Sequence, residues 1–319
     1  MTRTGVVAAA LLLGLSLSVP SYAGDNYALV VTGASSGEPY AAKYSAWRQS
    51  FVSTLRSKFS YPDDHVIVMA EHPGAGIRAA TSDEVRRTLN ELRSRLTKDD
   101  QLVVLLIGHG TTAEGEDAKF NLVGPDLKAS EWAGLLKPFT SRVVFVDTTA
   151  VSFPFLRQLA APNRIVITAT DSSAQEFETV FGELFIRAFE EASGDADKSG
   201  RVSVFEAFVF ASAATRAWYD QRGQLPTERP LIDDDGDGVG HEGWNPGSDG
   251  ALARATFLQP LPAPTDAVAA AVVKRQRELE SQIEELKRRR ASMTPGAYDA
   301  ELERLLLELA RVSAQGRQP

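Results

Sequence analysis

The chain has no cysteine, only four histidines and three methionines, no basic cluster that recurs at groove-binding spacing, and no apolar run beyond its N-terminal segment that approaches the length needed to cross a bilayer. Each absence excludes something. Without cysteine there is no disulfide, no thiolate nucleophile and no sulfur-ligated metal, so stability must come from core burial and bound ions. A net charge of −8, an isoelectric point near 5.2 and no basic stripe leave no electrostatic footprint for nucleic acid. With so few histidines and no cysteine, a site for a soft transition metal has little to draw on, although His241 is placed beside an acidic run.

What is present suits one large globular domain with an extension: 319 residues, 43% hydrophobic and 24% charged. Residues 1–23 read as a signal peptide. Arg3 precedes an apolar run from Gly5 to Val19, then Pro20, with small Ser21 and Ala23 where a signal peptidase cuts. Export to the periplasm or beyond is the expectation, with cleavage after Ala23. A membrane anchor is the alternative, but the run falls short of the roughly 20 residues that a spanning helix needs.

Short Val/Ile/Leu runs alternate with helix-like segments. Strands are expected at Tyr27–Gly33, Val66–Ala70, Leu102–Ile107, Val143–Val146 and Ile165–Ala169, and helices near Ala41–Phe59, Ser82–Leu96 and Phe177–Ala192. Continuous apolar strands between amphipathic helices predict a mostly parallel central sheet covered on both faces, an α/β three-layer fold. Thr81 and Glu84 have capping-box spacing, and Val85, Leu89, Leu92 and Leu96 make one apolar stripe behind them. Sites in such sheets gather at the carboxyl ends of the strands.

Past residue 258 the composition changes. Gln259-Pro260-Leu261-Pro262-Ala263-Pro264 reads as an extended linker over 259–265. Over 266–315, Val272, Leu279, Ile283 and Leu286 keep near-heptad spacing, and Leu302, Leu305, Leu306 and Leu309 resume after a Pro-Gly turn. The expectation is a helical hairpin of coiled-coil type, which packs on its own domain or meets a partner.

The segment DDQLVVLLIGHGTTAEG puts His109 and Gly110 directly after a buried strand, where an imidazole can act as a base. Five elements in order, YALVVTGASSG, YSAWRQSF, the His-Gly after its strand, RVVFVDTTAVS and RIVITATDSS, resemble the caspase and legumain group of cysteine peptidases over roughly residues 27 to 210. The chain also resembles an exported bacterial branch of that group that carries an acidic loop and a C-terminal helical region. In that group the histidine is the general base or an orienting partner, and the resemblance implies that His109 matches the first role, that the amide of Gly110 is an oxyanion donor, and that Thr149 stands at or beside the nucleophile position, with Thr148, Ser152 and Asp147 near. The departure is the nucleophile itself. Hydroxyls are not ionised at neutral pH as a thiol partly is, and Thr149 adds a β-methyl that crowds attack. The expectation is a catalytically silent pseudopeptidase that binds a protein or peptide partner through its groove or hairpin. The alternatives are hydrolysis by Thr149 or Ser152 with His109, and a Ca²⁺-dependent structural or assembly role.

Asp195, Asp197, Ser199, Gly200, Arg201, Ser203 and Glu206 fit the twelve-residue EF-hand loop. Oxygen side chains fall at positions 1, 3, 5 and 9, Gly at 6, a backbone carbonyl at 7 (Arg201) and a bidentate Glu at 12. Ca²⁺ is the expected ion. Asp233, Asp235 and Asp237 repeat the first half of the pattern, but Trp244 stands at position 12, so this run is either a second ion site or a solvated turn.

Overall fold

The computed structural model describes residues 24–112, 117–173, 177–260, 267–290 and 293–315; residues 1–23, read above as a signal peptide, and most of the Pro-rich linker lie outside them. The strands are β1 (Asn26–Thr32), β2 (Val66–Ala70), β3 (Ile77–Ala79), β4 (Gln101–Ile107), β5 (Gly110–Thr111), β6 (Lys119–Phe120), β7 (Leu127–Lys128), β8 (Arg142–Asp147), β9 (Arg164–Thr168) and β10 (Leu231–Asp233). The helices are α1 (Glu38–Ser53), α2 (Ser82–Arg95), α3 (Ala129–Leu136), α4 (Phe153–Leu159), α5 (Phe181–Ala188), α6 (Val204–Asp220), α7 (Ala251–Arg254), α8 (Ala267–Arg288) and α9 (Pro295–Gln315). Seven strands form one sheet in the order β10-β9-β8-β4-β1-β2-β3, parallel throughout except where β10 runs antiparallel to β9. The small β5-β6-β7 sheet stands apart.

The apolar runs become strands because both sheet faces are covered. Alternate residues of β1 point to opposite layers: Ala28 and Val30 join α1, α5 and α6, while Leu29 and Val31 join α2, α3 and α4. Tyr44, Trp47 and Phe51 of α1 fill the first layer, and Val85, Leu89 and Leu92 of α2 fill the second, as their stripe predicts. Each such fully buried side chain contributes roughly 1.5–3 kcal/mol by leaving water. The α/β three-layer expectation therefore holds.

Local differences have local causes. Thr81 caps α2 through the Glu84 amide at 3.3 Å, but the Glu84 carboxylate turns to Arg78 and Arg87 instead of completing the box. After Ser53 the first helix widens into a π-type turn over residues 54–58, closing Phe59 onto Thr54 and carrying it to the expected end. The helix expected from Phe177 begins only at Phe181, for a reason that lies in a distant loop (below). The α8–α9 hairpin has its own small core of Leu279, Ile283, Leu286, Tyr298 and Leu305. Among the described residues, no helix is long and apolar enough to cross a membrane.

Candidate functional site

β4 and β8 lie side by side at the middle of the sheet, so the loops leaving their carboxyl ends meet. Gly108 leaves β4 with φ +154°, and an added Cβ would sit 3.3 Å from the Gly33 nitrogen; only glycine lets the two loops approach this closely. His109 follows, half-buried, on the α1 side of the sheet. Its Nε2 lies 3.2 Å from the Ser35 carbonyl, and since a carbonyl can only accept, Nε2 carries a proton. The Tyr44 hydroxyl lies 3.4 and 3.3 Å from the two ring nitrogens, and Tyr40 meets the ring edge-on at 4.7 Å between centroids. Ser35 is itself fixed by Glu71, which accepts from the Ser35 amide at 3.0 Å and its hydroxyl at 2.6 Å and whose pKa these donors lower. The imidazole is thus seated by three elements at once.

Beside it opens a cleft of about 460 Å³, lined by Tyr40, Tyr44, His109, Gly110, Val151, Phe177 and Glu178 among others. Phe177 is 67% exposed at its rim. Glu178 is paired with Lys43 at 2.8 Å, and Lys43 lies over the Trp47 ring.

Of the residues singled out from sequence, the structure brings His109 and Gly110 to this cleft and sets Thr149 and Ser152 behind its surface. Thr149 is 1% exposed. A Cβ on Gly110 would sit 3.1 Å from its Oγ1 and 2.4 Å from Val151 Cγ2, so the hydroxyl lies directly under the loop that forms the cleft wall. That Oγ1 is buried without a hydrogen-bond partner among the described residues. Ser152, fully buried, accepts through Oγ from the amides of Ala169 (3.0 Å) and Thr170 (3.2 Å) and lies 3.1 Å from the Thr170 hydroxyl, tying the end of β9 to the start of α4. Thr148 faces α5 and donates to the Leu106 carbonyl at 2.8 Å.

Asp147 ends β8. The preceding residues alternate, Val144 and Val146 facing α1 and α5 and Phe145 facing α4, so Asp147 leaves the sheet on the face away from the α1 tyrosines and His109. One carboxylate oxygen accepts from the Thr149 amide at 2.9 Å; the other is buried without a partner among the described residues. Complete burial raises the pKa to about 7 against the opposing pull of the Thr149 amide and, more weakly and without hydrogen-bond geometry, of its hydroxyl.

Two acidic loops complete the inventory. In the first, between α5 and α6, carboxylate oxygens of Asp195, Asp197 and Glu206 all lie within 4.8 Å of one another. Asp195 accepts from the amides of Ser199 (2.9 Å) and Gly200 (2.8 Å), and Gly200 has φ +88°, the sharp turn expected at position 6. The Ser199 hydroxyl donates to the Arg201 carbonyl at 3.0 Å. Glu206 folds back over the loop, accepting from the Ala196 and Asp197 amides, and forms with Ser203 the capping box that starts α6. The three carboxylates are oxygens of the type a hard cation takes, while the Ser203 hydroxyl expected at position 9 is engaged with Glu206.

In the second, Asp233, Asp235 and Asp237 also bring oxygens within 4.8 Å of one another. Here sequence reasoning missed two residues. Asp234 and Asp249 are buried beside Asp233: Asp234 accepts from the amides of Gly250 and Ala253, and Asp249 from those of Asp234 and Asp235. Nothing in the local sequence points to Asp249, because 15 residues separate it from Asp234. Burial raises the pKa values of Asp233 and Asp249 to about 6. His241 Nδ1 lies 2.6 Å from Asp249 and so is already engaged, while Trp244 stands 73% exposed.

No family model matches the chain, and no curated protein does. Among solved structures it is similar to protein GSU0716 from Geobacter sulfurreducens, with TM-score 0.47 and 15% identity over 75% of this chain and 100% of that one. It is similar also to caspase-1 from Spodoptera frugiperda (TM-score 0.44, 9% identity, 67% of this chain and 88% of that one). A third is the Drosophila initiator caspase Dronc (TM-score 0.44, 14% identity, 77% and 98%). The chain itself has an α/β fold with a mostly parallel seven-stranded sheet between helical layers. At these identities no residue role passes from those proteins to this one.

Proposed function

We propose that the chain is an exported, legumain-like pseudopeptidase, a module that holds a polypeptide segment in the cleft beside His109 without cutting it and is stiffened by Ca²⁺. One observation carries the reading: the hydroxyl at the presumed nucleophile position is 1% exposed and lies beneath Gly110. A nucleophile must face the scissile carbonyl and a base must take its proton. Here the imidazole proton on Nε2 is directed to the Ser35 carbonyl, and Asp147 is on the other face of the sheet. The cleft keeps what binding needs: aromatic walls from Tyr40, Tyr44 and Phe177 with a few polar groups among them. Export rests on the N-terminal residues, Ca²⁺ on the Asp195–Glu206 loop. The second reading, a hydrolase using Thr149 or Ser152, is favoured by His109 and Gly110 both reaching the cleft.

The test uses purified residues 24–319 with a synthetic peptide library and Ca²⁺, read by mass spectrometry for both cleavage and retention. The expected result is retention of intact peptides, weakened several-fold by Phe177→Ser, whose exposed ring can be removed without a cost to the core. Neither the parent, His109→Ala nor Thr149→Cys should cleave. Turnover by the parent that His109→Ala abolishes would establish the hydrolase instead. Failure to retain any peptide would remove the binding role.

A further inference from the structure

The cleft wall at Phe177–Thr179 precedes α5, a helix whose N-terminal Val180 supplies no side-chain cap. The acceptor comes from Glu228, on the loop between α6 and β10. Its carboxylate accepts from the Val180 amide at 2.8 and 3.0 Å through its two oxygens, from the Phe181 amide at 2.9 Å and from the Tyr219 hydroxyl at 2.9 Å. Glu228 is 3% exposed in a mostly exposed loop, with Leu225 88% exposed three residues before it. The wall is also tied by Thr179 to the Thr148 carbonyl, by Glu178 to Lys43 and by the buried Phe181 ring on Phe185 and Phe208, but among the described residues Glu228 is the buried ionisable group that grips its backbone.

We propose that Glu228 is the latch of the cleft: when its carboxyl group is seated on the amides of Val180 and Phe181 the wall at 177–181 stands as described, and when it leaves its seat the wall is free to move and the cleft to widen. Taking the cleft as the binding site rests on the reading above; the latch itself does not. Glu228 is a positioning residue, acting on any bound segment only through the wall.

The sign of its pH response follows from its surroundings. Tyr219 faces it from α6, with its own pKa pushed up to about 12 mainly by burial, so it remains a donor; Lys43 faces it from α1, alongside Glu178 of the wall. Arg229, next in the chain, turns outward to Asp171 and Glu242. Desolvation outweighs the pull of the amides, Tyr219 and Lys43, so the seated acid binds a proton more readily than one in water. By linkage the proton favours the seated state. The latch holds most firmly at mildly acidic pH and loosens as pH rises past the ordinary carboxylate range.

Hydrogen exchange of a fragment spanning residues 177–184, measured by mass spectrometry on the full chain without ligand, tests this. Protection of the parent, corrected for the intrinsic pH dependence of exchange, should rise several-fold from pH 8 to pH 5. Glu228→Gln, neutral but still an acceptor, should be pH-independent and at least as protected as the parent at pH 8. Glu228→Ala, which leaves two amides without an acceptor, should lose roughly ten- to a hundredfold. A flat parent profile, or a glutamine variant as unprotected as the alanine one, would overturn the latch. Should the alanine variant not fold, parent against glutamine decides alone. Neither result bears on whether peptides are retained or cut.

Discussion

Asp147→Asn should be more stable than the parent at pH 8, by an amount on the order of 2–4 kcal/mol, and no more stable than it at pH 4. The folded-state pKa of Asp147 is raised to about 7 by complete burial. A raised carboxylate binds its proton more tightly folded than unfolded. Its favourable contribution is complete below the unfolded value near 4 and is lost as pH climbs through about 7. Asparagine keeps an oxygen for the Thr149 amide, now 2.9 Å from the carboxylate, and has no charge to desolvate. Denaturant melts of both proteins at several pH values measure the difference directly, because the other titrating groups are common to the two. A variant less stable than the parent at pH 8 would mean that the ionised carboxylate is compensated in the fold.

The cost has a location. Asp147 holds the amide of Thr149, beside the cleft wall, and among the described residues both its second oxygen and the Thr149 hydroxyl are buried without partners. Buried polar groups left in this condition concentrate where a fold once had, or still has, work to do. The loop after β8 thus has the polar arrangement of a site while its hydroxyls face inward.

How much of this was readable beforehand depends on range. The runs at Val30, Val68, Leu105, Val144 and Val166 gave away a sheet buried on both faces, because such strands are apolar without alternation. The turn at Asp195–Glu206 was legible because one short segment sets its acidic side chains at fixed spacing, and three of them do converge. β10 was hidden: three residues, Leu231–Asp233, give no period, and their antiparallel pairing with β9 is decided by the distant partner. The shortened start of α5 could not be seen because its cap comes from 47 residues away, on Glu228. The His109–Gly110 pair announced itself by position after a strand, but the burial of Thr149 depends on how Gly110 packs over it, a contact between loops of two strands.

The same contrast between local and distant effects governs the ion. Millimolar Ca²⁺ should raise the melting temperature of residues 24–319 by several degrees, since an ion at ten to a hundred times its dissociation constant adds about 1.4–2.7 kcal/mol to a fold that alone binds it. Glu206 has two duties that one substitution confuses, closing the loop and capping α6 with Ser203. Glu206→Ala should therefore lose about 1 kcal/mol even without Ca²⁺, as well as the response. Glu206→Gln separates them: glutamine serves in a capping box but is a poor bidentate ligand, so this variant should melt near the parent in chelator and gain little from Ca²⁺. Asp195→Ala should also be unresponsive, having removed the oxygens that now accept from Ser199 and Gly200. A response that survives Glu206→Gln but vanishes in Asp237→Asn would move the ion to the second loop, and a parent indifferent to Ca²⁺ would leave both loops as turns. Because α5 runs from the cleft wall to the first loop, an ion there would stiffen the far end of the same helix that Glu228 holds at the near end.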